Sequence, residues 1–208
     1  MKNWSTIILL ALIVTYPIMA WYHISHHMVY LLLAICFADL LTGIVHWLED
    51  AYGNPNWKYL GKSVIVPNLE HHLSPRNIVK NNYWATVETS YIIGLLLIGL
   101  TLCFSIFNFY TVLSIIIAAQ GNITHKWAHQ TDKENGKFVT WLHRNKILIT
   151  RRNHGLHHKA PYVGNYCSIT NFVNPVLDFF YFWPVLEFLI RTIFRIKVLR
   201  GSTIRNGL

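Results

Sequence analysis

Eight histidines fall into four short groups whose spacing suits metal ligation: His46 in HWLED, His71 and His72 in NLEHHLSP, His125 and His129 in HKWAH, and His154, His157 and His158 in HGLHH. Residues four apart on a helix share a face, so His125 and His129 can hold one ion from a single helix, and the spacing of His154, His157 and His158 also gives a shared face. Adjacent His71 and His72 diverge by about 100°. Asn68 fits as the N-cap of their short turn and Pro75 as its stop. Imidazole nitrogen suits iron, zinc, copper and nickel, and eight such ligands exceed what one ion of normal coordination number can use, so two ions are expected. Histidine-rich coordination without thiolates fits iron that meets dioxygen. Zinc would also occupy such a site, since it lies above ferrous iron in the Irving–Williams order. Cys36, Cys103 and Cys167 form no CxxC pair and are too few for a disulfide framework.

Two acids stand in register with His46. Asp39 lies seven residues before it inside an apolar run, where an acid is costly unless it pairs or works. It is expected to act at the site by accepting an N–H from a ligand histidine, with a buried hydrogen bond between helices as the alternative. Asp50, four residues after His46, reads as a ligand or as an acceptor behind one. Glu88 carries the same two readings as Asp39, and Gly43 would let a neighbouring helix approach closely. His23, His26 and His27 read as interfacial residues too distant to reach the site, and His143 as a solvated one.

The chain that must position these groups has 208 residues, 53% hydrophobic and 13% charged, with a mean hydropathy of +0.32. Soluble domains usually carry about 25% charged residues, so the expected fold is an all-α integral membrane protein of one domain over residues 1–208. A membrane-crossing helix needs about 20 mostly apolar residues. About four runs qualify, at roughly 5–21, 28–47, 85–107 and 110–125, the last two forming a hairpin through FNFY. Residues 48–84 and 126–208 would make a polar, histidine-rich cap. The tail VLEFLIRTIFRIKVL, after Pro184, places Glu187, Arg191 and Arg195 on one stripe and reads as an interfacial helix.

The eighteen Lys and Arg lie at Lys2, at Lys58, Lys62, Arg76 and Lys80, and otherwise beyond His125. The segments between spans one and two and between three and four hold none, which places both termini and all four histidine groups on the cytoplasmic side. The formal charge of +9 is then a topological signal, and no nucleic-acid-binding motif accompanies it. Nucleic acid is therefore not expected as a partner. A bacterial inner membrane is the first expectation for location and the endoplasmic reticulum the second.

Four blocks in one order, ADLLTGIVHWLED, GKSVIVPNLEHHLSP, GNITHKWAH and RRNHGLHHKAP followed by NYCSITNFVNPVLD, resemble the histidine-rich lipid desaturase family. That family includes plasmanylethanolamine desaturases and plant plastid phosphatidylglycerol palmitate desaturases. The resemblance implies a four-span enzyme with a diiron centre, introducing a double bond into a phospholipid-bound chain with dioxygen and two electrons. A b-type cytochrome, or a ferredoxin with its reductase, would supply the electrons. The family's eight histidines fall on the eight grouped above and its acids on Asp39 and Asp50, with Asn122 also inside a matching block. Asn153 departs from the pattern, since plasmanyl-lipid members carry a further histidine there. Arg151, Arg152 and Lys159, beside the last histidine block, are expected to hold the lipid headgroup. A lipid hydroxylase would use much the same histidine chemistry. A metal transporter would need polar ligands across the membrane depth, which the first, third and fourth runs lack away from one end, and a non-catalytic scaffold would need no histidine groups.

Overall fold

In the computed structural model, which describes residues 4–24 and 28–200, every long apolar run is helical. The elements are α1 (Trp4–Ile24), α2 (Met28–Tyr52), a π-helical turn (Gly61–Ile65), α3 (Val66–Leu73), α4 (Asn77–Lys80), α5 (Tyr83–Cys103), α6 (Phe109–Ala118), α7 (Gly121–His129), α8 (Asp132–Arg144), α9 (Arg151–His157), α10 (Val173–Phe179) and α11 (Phe182–Phe194). Among the described residues there is no strand, only an isolated antiparallel bridge between Leu148 and Thr170. His26 and His27 lie outside the described residues, as does the side chain of His23.

Side-chain caps set several helix starts. Asn82 and Asn108 accept the N–H groups of Ala85 and Thr111 at the heads of α5 and α6. Thr131 and Glu134 form a reciprocal capping box on α8, and Thr150 caps α9 through Asn153 N–H. Helices α1, α2, α5 and α6 pack as a bundle around Leu9, Val87, Tyr91, Val112 and Ile116. A second core of Trp47, Ala51, Tyr166, Cys167 and Trp183 joins the end of α2 to the C-terminal elements.

Among the described residues two helices, α2 and α5, are long and apolar enough to cross a membrane. Their outward faces are apolar as well: Val29 is 69% exposed and Leu96 64%. Helices apolar all round suit lipid rather than water, and the fold is consistent with a membrane protein. The expected fourth run, 110–125, is divided, because α6 ends at Ala118 and α7 begins at Gly121. At 1.5 Å per residue the ten residues of α6 reach only about 15 Å. The break falls at Gln120, whose side chain accepts a hydrogen bond from Tyr91 Oη. At Gly121 an added Cβ would lie 2.7 Å from the Thr42 side chain. This polar, close-packed joint redirects the chain into α7 and towards the histidines.

Three local expectations are corrected. Asn68 is not an N-cap, because the helix begins two residues earlier at Val66, with Pro67 in its first turn where no N–H is needed. Pro184 does not separate the tail helix from the aromatic run, since it occupies the first turn of α11. That helix ends at Phe194, so Arg195 falls outside the stripe. His143 is buried, sharing the inward face of α8 with Val139 and Thr140.

Gly43 does allow a close approach, although its neighbours are Cys167 and Trp183 rather than a bundle helix. An added Cβ would sit 2.6 Å from Cys167 Sγ and 3.1 Å from the Trp183 ring. Gly43→Val is expected to destabilise the fold by about 1–3 kcal/mol through overpacking, read as a lowered midpoint of thermal unfolding in detergent.

Candidate metal centre

Four elements converge at one end of the helix bundle. The last turns of α2 bring His46 and Asp50, α3 brings His71 and His72, α7 brings His125 and His129, and α9 with its C-cap brings His154, His157 and His158. Lys126 Nζ ties α7 to the carbonyl of Asn81, just before α5, and Arg76 holds both the His129 carbonyl and Glu134. The end of α2, the start of α5 and the continuation of α6 thus meet at the same end of the bundle.

The ligand atoms separate into two groups. His71, His125, His129, His154 and His158 form one, and His46, Asp50, His72 and His157 the other, with the donor atoms of each group within 4.8 Å of one another. In the first, Nε2 of His71 lies 2.9 Å from Nε2 of His125. Nε2 of His129 is 3.2 Å from His125 and 2.9 Å from His154, which is 3.1 Å from His158. Burial, together with repulsion from the neighbouring imidazoles, pushes His71 down to about 2 and holds His154 and His158 well below their ordinary value. These rings are therefore neutral at physiological pH, and each neutral ring has one nitrogen lone pair to give.

In the second group Asp50 is the hub. Its Oδ1 lies 3.0 Å from His72 Nε2 and accepts a 2.6 Å hydrogen bond from Asn68 Nδ2. Its Oδ2 is 3.3 Å from His157 Nε2 and 4.0 Å from His46 Nε2. These last three atoms are buried without a hydrogen-bond partner, a costly arrangement for polar atoms. Three imidazoles and a carboxylate, with orphaned donor atoms converging on one point, fit a divalent cation of the iron or zinc kind. The five-imidazole group fits a second.

All eight predicted histidines are brought together, and Asp50 joins them. Neighbours His71 and His72 go to different groups, as their divergence implied. The HGLHH triplet also divides, because His154 and His158, four apart, face one group while His157 faces the other. Asp39 makes no bond to His46. Its carboxylate accepts the N–H groups of Ile169 (2.8 Å) and Thr170 (2.9 Å) and the Thr170 hydroxyl, so the bland alternative, a buried structural hydrogen bond, describes it, with an extended segment in place of a helix. Glu88 and Asn122 are exposed and join neither group. Arg151, Arg152 and Lys159 are exposed around α9 and are not among the donors. Asn153 is turned to Asn171, donating to its Oδ1 at 2.9 Å.

Sequence reasoning missed the groups behind two of the candidate donors. His46 Nδ1 lies 3.1 Å from the Tyr166 carbonyl and His157 Nδ1 3.0 Å from that of Gly164. Backbone carbonyls leave no trace in side-chain types, and the one available signal was the Gly in YVGNY.

The lipid desaturase domain model matches residues 35–199. A probable fatty acid desaturase of Acanthamoeba polyphaga mimivirus is 30% identical over 80% of this chain and 84% of its own length. The plasmanylethanolamine desaturase of Myxococcus xanthus is 29% identical over 76% of this chain and 58% of its own. The chloroplastic fatty acid desaturase 4-like 1 of Arabidopsis thaliana is 33% identical over 68% of this chain and 49% of its own. The chain thus spans about half the length of the last two. No solved structure matches it.

Proposed function

The chain belongs to the lipid desaturase family, and on that premise we propose that it is a membrane-embedded diiron enzyme that desaturates a phospholipid-bound alkyl or acyl chain. The observation that carries this reading is the convergence of eight buried or half-buried histidines and Asp50 into two groups of donor atoms at one end of an apolar bundle. With iron held in both, dioxygen and two electrons from a reductant supply the oxidising power to take two hydrogen atoms from adjacent carbons. The balance is one saturated C–C bond, O2, two electrons and two protons giving one double bond and two waters.

The chain's own residues provide the setting. His154 and His157 are each 1% exposed, so the reaction proceeds away from bulk water, in the low dielectric that hydrocarbon requires. Asp50 is the single carboxylate in the two groups and limits the charge that the ions bring. The exposed cations Arg151, Arg152 and Lys159 are the proposed contacts for a phosphate headgroup, leaving the attached chain to pass between the apolar helices towards the histidines. The proposed topology has four spans, α1, α2, α5 and the broken α6–α7 pair, with both termini and the metal centre cytoplasmic. Electrons would arrive from a b-type cytochrome or a ferredoxin with its reductase.

Vinyl-ether formation on plasmanylethanolamine is the first substrate chemistry to test, given the Myxococcus xanthus relative. Acyl-chain desaturation is the second reading, favoured by Asn153, which bonds Asn171 where plasmanyl-lipid enzymes carry another histidine, and by the Arabidopsis thaliana relative. Lipid analysis of an aerobic host that makes ether and diacyl phospholipids, with and without this protein, distinguishes them. A vinyl-ether species supports the first reading and a new acyl double bond the second. A hydroxylated lipid in place of both would overturn desaturation.

A further inference from the structure

The segment from Gly164 to Thr170 has no repeating secondary structure, yet it is buried from Tyr166 onward and is held at three points by carboxylate and carboxamide side chains. At its start Asp178, on α10, accepts the N–H of Asn165 with both oxygens, at 3.1 and 3.4 Å. In its middle Asn174, also on α10, brackets Cys167: its Oδ1 accepts the Cys167 N–H at 2.9 Å and its Nδ2 donates to the Cys167 carbonyl at 2.8 Å. At its end Asp39 takes Ile169 and Thr170 from the α2 side. Gly164 stands at φ +129°, where a side chain would be strained, and a Cβ there would lie 2.9 Å from Asp178 Oδ1. Side chains from two helices therefore fix the path of seven residues that have no sheet partner beyond the single bridge at Thr170.

Two carbonyls on this fixed path accept hydrogen bonds from ring nitrogens in the metal centre. Gly164 takes His157 Nδ1 and Tyr166 takes His46 Nδ1. A carbonyl can only accept, so in both rings Nδ1 carries the proton and Nε2 carries the lone pair. In both rings Nε2 is the atom left unpaired beside Asp50 Oδ2. In the five-histidine group Nδ1 of His71, His154 and His158 is buried with no hydrogen-bond partner, as is Nδ1 of His72 beside Asp50, so the backbone support falls on His46 and His157.

We infer that the Gly164–Thr170 segment, pinned by Asp178, Asn174 and Asp39, is a positioning device that sets the tautomer and orientation of His46 and His157, making the position shared with Asp50 and His72 the tighter of two unequal metal positions. The inference rests on the diiron reading. Asp178 is the informative residue, because it is not among the donors of either group and its hydrogen bonds reach the Gly164 carbonyl through Asn165. Removing a partner behind a ligand histidine typically lowers metal affinity about 10–100-fold.

The test loads full-length protein in detergent with ferrous 57Fe, dialyses it against graded chelator, and reads iron per chain together with Mössbauer spectra. The two ligand sets differ, so the two ions should give separate signals, and His157→Ala identifies the one beside Asp50. Asp178→Ala is expected to weaken that ion about 10–100-fold while the signal of the five-histidine position persists. Asp178→Asn, which keeps the volume and one acceptor oxygen, should shift the same ion in the same direction by less, and it serves alone if the alanine variant is not recovered folded. The inference is overturned if a folded variant holds both ions as wild type does, or loosens both equally. A wild-type protein that retains no iron at all would instead overturn the diiron reading.

Discussion

His154→Ala is expected to abolish desaturation, with product falling by more than about 100-fold, while the protein still inserts and folds. His154 packs against three other donors of the five-histidine group: its Nε2 is 2.9 Å from that of His129 and 3.1 Å from that of His158, and its ring centroid is 4.4 Å from that of His125. The side chain is buried, at 1% exposure. Its loss opens a cavity, but one lined by polar rings rather than by the apolar clusters that hold the bundle together. Lipid product per cell and iron per purified chain should fall together. Retained product with lowered iron would show that this position is dispensable for the chemistry.

The second large effect separates two acids that look alike in the sequence. Asp50→Ala is expected to cost more than about 100-fold in product and to release one ion, because the only carboxylate in the centre is gone and the donors of His46, His72 and His157 lose their common partner. Stability should change little once the ion's contribution is allowed for. Asp39→Ala is expected to act in the opposite order. It leaves the N–H groups of Ile169 and Thr170 and the Thr170 hydroxyl buried without an acceptor, and each unsatisfied group costs about 1–3 kcal/mol. Thermal unfolding in detergent should therefore shift strongly for Asp39→Ala, with activity lost through the fold. If Asp39→Ala left stability intact and removed activity, Asp39 would have to act at the metal centre, contrary to its bonds.

The convergence of the eight histidines was legible because histidine is rare enough for four tight groups to stand out, and because helical periodicity predicts which neighbours converge. The divergence of His71 and His72 followed from 100° per residue. The same rule, applied to His46, put both acids on its face, yet Asp50 meets His72 and His157 while Asp39 bonds Ile169 and Thr170: periodicity assigns a face but not which neighbour packs on it. At Asp39 that neighbour is the 168–170 segment, more than a hundred residues away. The division of HGLHH between the two donor groups was hidden for a related reason, since i and i+4 align better than i and i+3, and the partners waiting on each side come from α2, α3 and α7. Among the long runs, the ends of α2 and α5 were read within a few residues. The joint at Gln120 was missed because its cause is tertiary, a hydrogen bond from Tyr91 and the approach of Thr42 to Gly121.

On the proposed function, this chain removes two hydrogens from neighbouring carbons of a membrane lipid. The most direct measurement uses purified, iron-loaded protein with a chemical reductant, dioxygen, and phospholipids whose alkyl or acyl chains are deuterated throughout. The predicted product has lost two deuterium atoms and gained a double bond, in an amount that scales with bound iron and disappears in His154→Ala. A product that has lost one deuterium and gained one oxygen atom would contradict the claim and make the protein a hydroxylase.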